Sequence, residues 1–137
     1  MEQEYYISTD QSRMDLDFIY AYLSGKSYWA MGRSKERIEK SMAHSLCFGL
    51  FKDSQQIGFG RVATDYVVFA WIMDLFINPQ FRGKGLGRML IESIVEHPDL
   101  QDVNSIGLRT QDAHELYKKY DFKSIPDPET WMLRKKN

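Results

Sequence analysis

The fold of this chain is decided by the stretch Ile77-Asn78-Pro79-Gln80-Phe81-Arg82-Gly83-Lys84-Gly85-Leu86-Gly87-Arg88-Met89-Leu90. Its pattern predicts the end of a strand, a glycine-rich loop and the first turns of a helix. The first backbone amides of a helix have no partner within the helix and lie at the positive end of its dipole. The junction is therefore a candidate site for a phosphate or pyrophosphate group, because the glycines let a ligand approach the backbone.

The spacing of the glycines excludes two common phosphate loops. A Walker A loop requires Lys and then Ser or Thr after its last glycine, whereas Gly87 is followed by Arg88 and Met89. A dinucleotide-binding fingerprint requires Gly-x-Gly-x-x-Gly, whereas the glycines here occupy every second position. The stretch is therefore a phosphate loop of another kind, or a tight turn between a strand and a helix without a ligand.

Two blocks of the sequence resemble the GNAT family of N-acetyltransferases. Arg82-x-x-Gly85-x-Gly87 is similar to the acetyl-CoA loop of that family, and Asp74-Leu75-Phe76-Ile77-x-Pro79 resembles the strand before it. The segment Asp112-Ala113-His114-Glu115-Leu116-Tyr117-Lys118-Lys119-Tyr120-Asp121-Phe122 resembles the family pattern Ala-x-x-Leu-Tyr-x-Lys-x-Gly-Phe. The blocks follow each other in the family's order over the second half of the chain.

The composition predicts one ordinary globular domain over residues 1–137, because 43% of the residues are hydrophobic and 27% are charged. A net charge of −1 gives no reason to expect nucleic-acid binding. Cys47 has no second cysteine to pair with, and no His, Cys or Asp spacing indicates a metal. The start is acidic and no apolar run is long enough for a signal or a membrane span, so we expect a cytoplasmic protein that does not bind membranes.

The periodicity of apolar residues predicts strands and helices in the order β, α, α, β, β, β, α, β, α, β, β. Their predicted ranges, with caps, are 5–9, 15–23, 34–43, 46–51, 57–64, 67–77, 86–96, 106–110, 112–120, 122–125 and 131–133. This order predicts a mixed sheet with helices on both faces. The resemblance implies the α/β GNAT fold, a mostly antiparallel sheet of about six to seven strands with about four helices and splayed central strands.

The resemblance implies that acetyl-CoA is the cosubstrate. The backbone of Leu75, Phe76 and Ile77 is expected to pair with the pantetheine arm as an added strand, and the amides from Gly83 to Arg88 are expected to bind the pyrophosphate. The residues expected to bind the cofactor are Leu75, Phe76, Ile77, Arg82, Gly83, Lys84, Gly85, Leu86, Gly87 and Arg88.

The family motif also implies a general acid. Tyr117 occupies the place of the tyrosine that returns a proton to the departing thiolate, although periodicity alone is equally consistent with a buried aromatic beside Leu116 and Tyr120. Asp121 stands where the family has Gly at a helix C-terminus with positive φ. Asp tolerates that conformation better than most residues, so we expect a small cost in stability.

The general base is not apparent in the sequence. The positions on the central strand where many family members carry Glu or His hold Trp71 and Met73, which cannot take a proton. Asp74 is the candidate for a base or an amine-binding group, although strand alternation predicts that it lies on the opposite face from Met73. It also matches an acidic residue common in the family, for which a structural role is an equal alternative. Asp65, His44 and ordered water are the alternatives.

The acceptor pocket of the family is built largely from the first two helices and their loop. Tyr28, Trp29 and Arg33 lie there and are candidates for binding a substrate with an apolar and an anionic part. The equally weighted alternative is that Trp29 is a core residue and that Arg33 is a solvated charge. Thr110 and Asp112 are expected near the cofactor, with Asp112 as a helix cap.

The resemblance implies an acetyl-CoA-dependent N-acetyltransferase that acts by direct attack of a primary amine, on a small molecule or a peptide, on the thioester. The competing function is a CoA-binding sensor or interaction module without transferase activity, because the strand lacks the usual base. Homodimers are common in the family, but no residue of this chain identifies an interface.

Overall fold

The computed structural model of the protein describes residues 5 to 136. The strands are β1 (Tyr5–Ser8), β2 (Leu46–Lys52), β3 (Gln55–Thr64), β4 (Phe69–Ile77) and β5 (Ser105–Leu108). The α-helices are α1 (Leu16–Gly25), α2 (Lys35–Ala43), α3 (Leu86–Val95) and α4 (His114–Lys118). Among these helices, none has both the length and the apolar surface that crossing a bilayer requires.

The five strands form one sheet in the order β1-β2-β3-β4-β5. The first three pairings are antiparallel, and β4 pairs with β5 in parallel. A parallel pair needs a crossover connection, and α3 supplies it. The predicted α/β fold with a mixed, mostly antiparallel sheet is confirmed.

The sheet is covered on both faces. On one face α1 and α2 pack Ile19, Leu23, Ile38 and Met42 against Cys47, Phe59 and Phe76. On the other face α3 packs Leu86, Leu90 and Ile94 against Phe48, Leu50, Ile57, Val62, Ala70 and Ile72. Because helical spacing places the apolar residues of each helix on a single stripe, each of these three helices buries that stripe against the sheet.

Side-chain caps fix the start of both helices on the first face. An Asp15 carboxylate oxygen accepts the Phe18 amide at 3.1 Å, and the Ser34 hydroxyl oxygen accepts the Arg37 amide at 3.2 Å. Each such cap contributes about 1 kcal/mol to stability. Ser34 is thus confirmed as the cap of α2, and the loop 26–33 between the helices is held at a defined position above the sheet.

The sheet has fewer strands than predicted. The segments 122–125 and 131–133 pair with no strand in residues 5–136, so the expectation of about six to seven strands is wrong for this part of the chain. Phe122 packs partly against the core, whereas Met132 is 96% exposed. Apolar composition favours a strand, but a strand also needs a partner to pair with.

The helix α4 begins one residue later than predicted. Its N-terminal cap position is Ala113, and the Thr110 hydroxyl oxygen accepts the Ala113 amide at 3.1 Å. Asp112 was expected to cap this helix, which is wrong, because the cap position is Ala113 and no side chain in residues 5–136 forms a capping hydrogen bond with the helix. At the other end Asp121 has a φ of 70°, as predicted from its place in the family motif.

Candidate functional site

The strands β4 and β5 separate and leave a cleft between them. Their last pair is Ile72 with Leu108, where β5 ends, whereas β4 continues to Ile77. Beyond that pair, residues 73–77 and 108–113 form the two walls of an open cleft of about 1090 Å³. Within residues 5–136 this part of β4 has no strand partner on its β5 side. An extended ligand can therefore pair with it as an added strand.

The glycine-rich loop closes one end of the cleft. Gly85 precedes the first residue of α3, and no side chain caps that helix. Gly83 and Gly85 have φ values of 81° and 78°, a left-handed conformation that glycine adopts without strain. Within residues 5–136 the backbone amides of residues 83–88 have no acceptor. A negatively charged group would satisfy these amides at the positive end of the helix dipole.

The space in front of the loop is open. A Cβ atom added to Gly83, Gly85 or Gly87 would have no neighbour within 4 Å. Close packing inside the protein therefore does not require these glycines, and all three line the cleft. The free amides, the open space and the helix dipole together fit a pyrophosphate group.

Most of the residues predicted to bind the cofactor line the cleft. They are Leu75, Phe76, Ile77, Arg82, Gly83, Gly85, Leu86 and Gly87. Lys84 and Arg88 do not line it. The Arg82 guanidinium donates to the Tyr22 hydroxyl at 2.8 Å. The Arg88 Nε donates to the Tyr120 hydroxyl at 3.4 Å and is thus directed towards α4.

Tyr117 lies on α4 in the wall opposite β4. The residue is 8% exposed, and its ring meets Phe122 edge to face at 5.6 Å between centroids. Burial raises the pKa of Tyr117 to about 12, and the neighbouring Tyr28 adds to the rise. Its hydroxyl therefore keeps its proton at neutral pH and is available to donate it inside the cleft.

A β-bulge in β4 changes the direction of Asp74. In the pairing with β3, Phe76 lies opposite Phe59 and Met73 opposite Arg61, so β4 has one extra residue between these pairs. Asp74 has a φ of 57° at this point. Strand alternation predicted that Asp74 and Met73 lie on opposite faces, which is wrong, because a bulge interrupts the alternation. Both side chains contact the same guanidinium, that of Arg61.

The Asp74 carboxylate is enclosed by donors. One oxygen accepts from Trp29 Nε1 at 3.0 Å, and the other accepts from Arg33 Nη1 and Arg61 Nε, both at 2.9 Å. Its side chain is 2% exposed. A carboxylate with this number of charge-assisted hydrogen bonds and so little exposure is poorly placed to take a proton from an amine. The arrangement instead ties the loop between α1 and α2 to β4.

Arg61 is a residue of this cluster that the sequence analysis missed. It lies in β3 with 8% exposure, and its Nη1 donates to the Ser45 hydroxyl at 3.0 Å. A signal for it exists in the sequence, since Arg61 interrupts the otherwise apolar run from Ile57 to Ala63. An arginine in such a strand is seldom buried without a carboxylate partner, but the sequence does not indicate which one.

The predicted acceptor residues all line the cleft. Tyr28 is 54% exposed and Trp29 is 39% exposed, and their rings meet edge to face at 5.0 Å. Trp29 is therefore not a core residue, and Arg33 is an ion-paired rather than a solvated charge. The structure brings Tyr28, Trp29 and Arg33 to the same cavity as Tyr117 and the glycine loop.

The other candidates for a base lie elsewhere. An Asp65 carboxylate oxygen accepts the amides of Val67, Val68 and Phe69, and these hydrogen bonds lower its pKa. Asp65 thus shapes a turn and delays the start of β4. His44 lies at the C-terminal end of α2. Neither residue lines the cleft, whereas Thr110 and Asp112 do, as predicted.

The comparisons with known proteins agree with this geometry. A family model described as an acetyltransferase (GNAT) domain matches residues 43–124. The crystal structure of a GNAT-family protein from Xanthomonas campestris pv. campestris is 38% identical, with a TM-score of 0.93 over 96% of this chain and 92% of that one. A Gibberella zeae protein named as an acetyltransferase is 28% identical over 68% of this chain.

The chain spans only part of the length of its curated relatives, and structures with low sequence identity share its fold. The chain spans 63% of the Gibberella zeae protein, and less than two thirds of the first curated relatives it matches. A GNAT acetyltransferase from Elizabethkingia anophelis with acetyl-CoA bound shares the fold at 14% identity, with a TM-score of 0.66 over 87% of this chain and 76% of that one. The family match covers more than half of the chain. This chain belongs to the GNAT family of acetyltransferases.

Proposed function

We propose that this protein is an acetyl-CoA-dependent N-acetyltransferase that acetylates a primary amine of a small molecule or a peptide. The observation that carries the proposal is the continuity of one cleft. The free amides of the glycine loop, the unpaired part of β4, the protonated Tyr117 and the exposed pair Tyr28 and Trp29 all face the same space. The cleft therefore combines an anion-binding site, a strand edge that can pair with an extended ligand, a proton donor and an opening for a second substrate.

The cleft is suited to hold acetyl-CoA along its whole length. The amides of residues 83–88 would bind the pyrophosphate, since they have no acceptor within residues 5–136. The backbone of Leu75, Phe76 and Ile77 would pair with the pantetheine arm. A similar fold binds acetyl-CoA in the Elizabethkingia anophelis enzyme. Bound acetyl-CoA supplies an activated acetyl thioester.

Tyr117 is proposed as the general acid. Its hydroxyl oxygen holds a proton at neutral pH, because burial raises the pKa of Tyr117 to about 12. In this role the proton passes to the sulfur as the carbon–sulfur bond breaks, so that the leaving group departs as a neutral thiol. As the new carbon–nitrogen bond forms, the sulfur gains the Tyr117 proton, the amine loses a proton to water, and Tyr117 regains one from water.

Asp74 is proposed as a positioning residue rather than as the base. Its carboxylate binds Trp29, Arg33 and Arg61, so it fixes two of the predicted acceptor residues relative to β4. The acceptor amine would then lose its proton through ordered water, one of the alternatives for the base.

A CoA-binding module without transferase activity is the second candidate function. One observation favours it: the carboxylate of Asp74, the candidate base on β4, already accepts hydrogen bonds from three donors. Such a module would bind acetyl-CoA but would not turn it over. The experiments below distinguish the two functions.

The first experiment is a calorimetric titration of the protein with acetyl-CoA, beside CoA and ATP. We expect micromolar binding of acetyl-CoA and CoA and none of ATP, because the cleft has room for a pantetheine arm as well as a pyrophosphate. The absence of acetyl-CoA binding would contradict both candidate functions.

The second experiment compares Tyr117→Phe with the control Tyr20→Phe, which alters a tyrosine on the outside of α1. We expect Tyr117→Phe to lower kcat for an amine acceptor on the order of 100-fold, as the loss of a general acid does, with unchanged affinity for acetyl-CoA. Tyr20→Phe should change neither quantity. Equal turnover by Tyr117→Phe and the wild type would contradict the acid role.

A further inference from the structure

A second depression of about 470 Å³ lies beside the cleft, against α2. Five of the side chains that line it are basic: Arg33, Arg37, Lys40, His44 and Arg61. Arg37, Lys40 and His44 follow each other at intervals of three and four residues, so they share one face of α2. The depression is large enough for a small charged group.

The positive charge of this face is not balanced by the protein. No carboxylate lines the depression, and Asp74 is already bound by both Arg33 and Arg61. Within residues 5–136 neither Arg37 nor Lys40 forms an ion pair. Like charges at this spacing destabilise a helix, and the whole chain carries a net charge of −1. A concentration of cations in an overall acidic chain indicates an anion site.

The depression adjoins the cleft at two residues. Arg33 and Met73 line both cavities. Among its contacts in residues 5–136, the Arg33 side chain donates a hydrogen bond only through Nη1, to Asp74, so the other N–H groups of its guanidinium are available to a ligand. Met73 immediately precedes the bulge of β4. A molecule whose amine lies in the cleft can therefore extend past Arg33 and Met73 to the basic face of α2.

We infer that the acceptor amine carries an anionic group, a carboxylate or a phosphate, which binds in the depression lined by Arg33, Arg37 and Lys40. This inference rests on the proposed acetyl transfer and names the class of its acceptor. The anionic group supplies the counter-charge that α2 lacks, and its distance from the amine sets which end of the acceptor enters the cleft. Guanidinium and carboxylate or phosphate groups form strong charge-assisted hydrogen bonds.

A turnover experiment uses matched acceptors. β-Alanine is compared with its amide for the carboxylate, and O-phosphoethanolamine is compared with ethanolamine for the phosphate. We expect a higher kcat/KM for the anionic member of at least one pair, and the pair that shows it identifies the preferred anion. In Arg37→Gln and in Lys40→Gln this preference should fall roughly tenfold through KM, since one charge-assisted hydrogen bond is lost. Lys35→Gln, on the same helix but outside the depression, should retain it.

A binding experiment tests the inference without turnover. Succinate and inorganic phosphate are titrated into the protein with CoA present, so that the glycine loop is filled, and binding is followed by nuclear magnetic resonance. We expect the double variant Arg37→Gln/Lys40→Gln to bind at least one anion roughly tenfold more weakly than Lys35→Gln. Equal binding by the two proteins overturns the inference.

The outcomes separate the inference from the function on which it rests. Acetyl-CoA is titrated into the same samples. If acetyl-CoA binds but the anions bind the double variant and Lys35→Gln equally, the acceptor class is wrong and the proposed function stands. If acetyl-CoA does not bind, the proposed function fails, whereas the anion site is still decided by the comparison of the two proteins.

Discussion

The two polar regions of the cleft are built in different ways. The glycine loop before α3 offers backbone amides, and no side chain caps it. The Asp74 cluster is made of side chains from β3, β4 and the loop after α1, joined by three hydrogen bonds to one carboxylate. The loop depends on the conformation of a few consecutive residues, whereas the cluster depends on the packing of distant segments.

This difference determines what each region can tolerate. Backbone amides remain present whichever side chain follows, so the loop is sensitive mainly to changes at the glycines themselves. The cluster loses its charge balance when the Asp74 carboxylate is removed, because the guanidinium groups of Arg33 and Arg61 then face each other without a counter-charge. The following predictions test that contrast, from the largest expected effect to the smallest.

Asp74→Ala should lower the free energy of unfolding by about 3–5 kcal/mol, because Arg33 and Arg61 remain partly or fully buried without their partner. Urea unfolding measures this loss. The control Asp17→Ala removes an exposed carboxylate that pairs with Lys35 and should cost less than about 1 kcal/mol. Similar losses of unfolding free energy in the two variants would show that removing a carboxylate from the cluster costs no more than removing one from the surface.

Tyr117 should make stability depend on alkaline pH. Its pKa is about 12 in the folded protein, whereas an exposed tyrosine has a pKa of about 10, so the unfolded chain loses this proton first as pH rises. The free energy of unfolding should therefore fall between these two pH values, by at most about 2–3 kcal/mol from this group. Tyr117→Phe should remove that part of the slope in chemical unfolding at increasing pH, and Tyr20→Phe should leave the slope as in the wild type.

Gly85→Ala and Gly87→Ala should separate strain from ligand access. Gly85 has a φ of 78°, so alanine there should cost about 1–2 kcal/mol of stability. Gly87 lies in the first turn of α3 without positive φ, and alanine there should not lower stability. Both variants should bind acetyl-CoA more weakly, because the new methyl group enters the open space before the amides. Wild-type affinity in Gly87→Ala would contradict the proposed position of the pyrophosphate.

Asp121→Gly should have the smallest effect. Asp121 has a φ of 70° at the end of α4, where glycine avoids the steric cost of the left-handed conformation. The substitution should raise the free energy of unfolding by about 0.5–1 kcal/mol, with unchanged turnover. A loss of stability would indicate that the Asp121 side chain makes a favourable interaction of its own.

The same contrast explains how far the sequence could predict the site. The position of the glycine loop before α3 and that of Tyr117 on α4 could be predicted because their signals are local, namely the spacing of Gly83, Gly85 and Gly87 and the motif around α4; the roles of these residues stay predictions. The core helices were found because their apolar residues recur at helical spacing. Each of these features is contained in a window of a few turns of helix or a single strand.

The features that escaped prediction depend on segments distant in sequence. The bulge at Asp74 arises from the register between β3 and β4, which no residue of β4 alone reveals. The sequence indicates that a buried Arg61 needs a carboxylate partner, but it does not indicate that this partner is Asp74. The segments after α4 have the composition of strands without a neighbour to pair with.

The short pairing of β4 with β5 has a consequence for the dynamics of the protein. Only four residue pairs join β5 to the rest of the sheet, so local opening of β5 and α4 should require less free energy than opening of β2 or β3, which pair over longer ladders. A ligand in the cleft touches both walls and joins them across the gap. Hydrogen exchange should therefore slow most in β5 and α4 when acetyl-CoA binds, and least in the antiparallel strands.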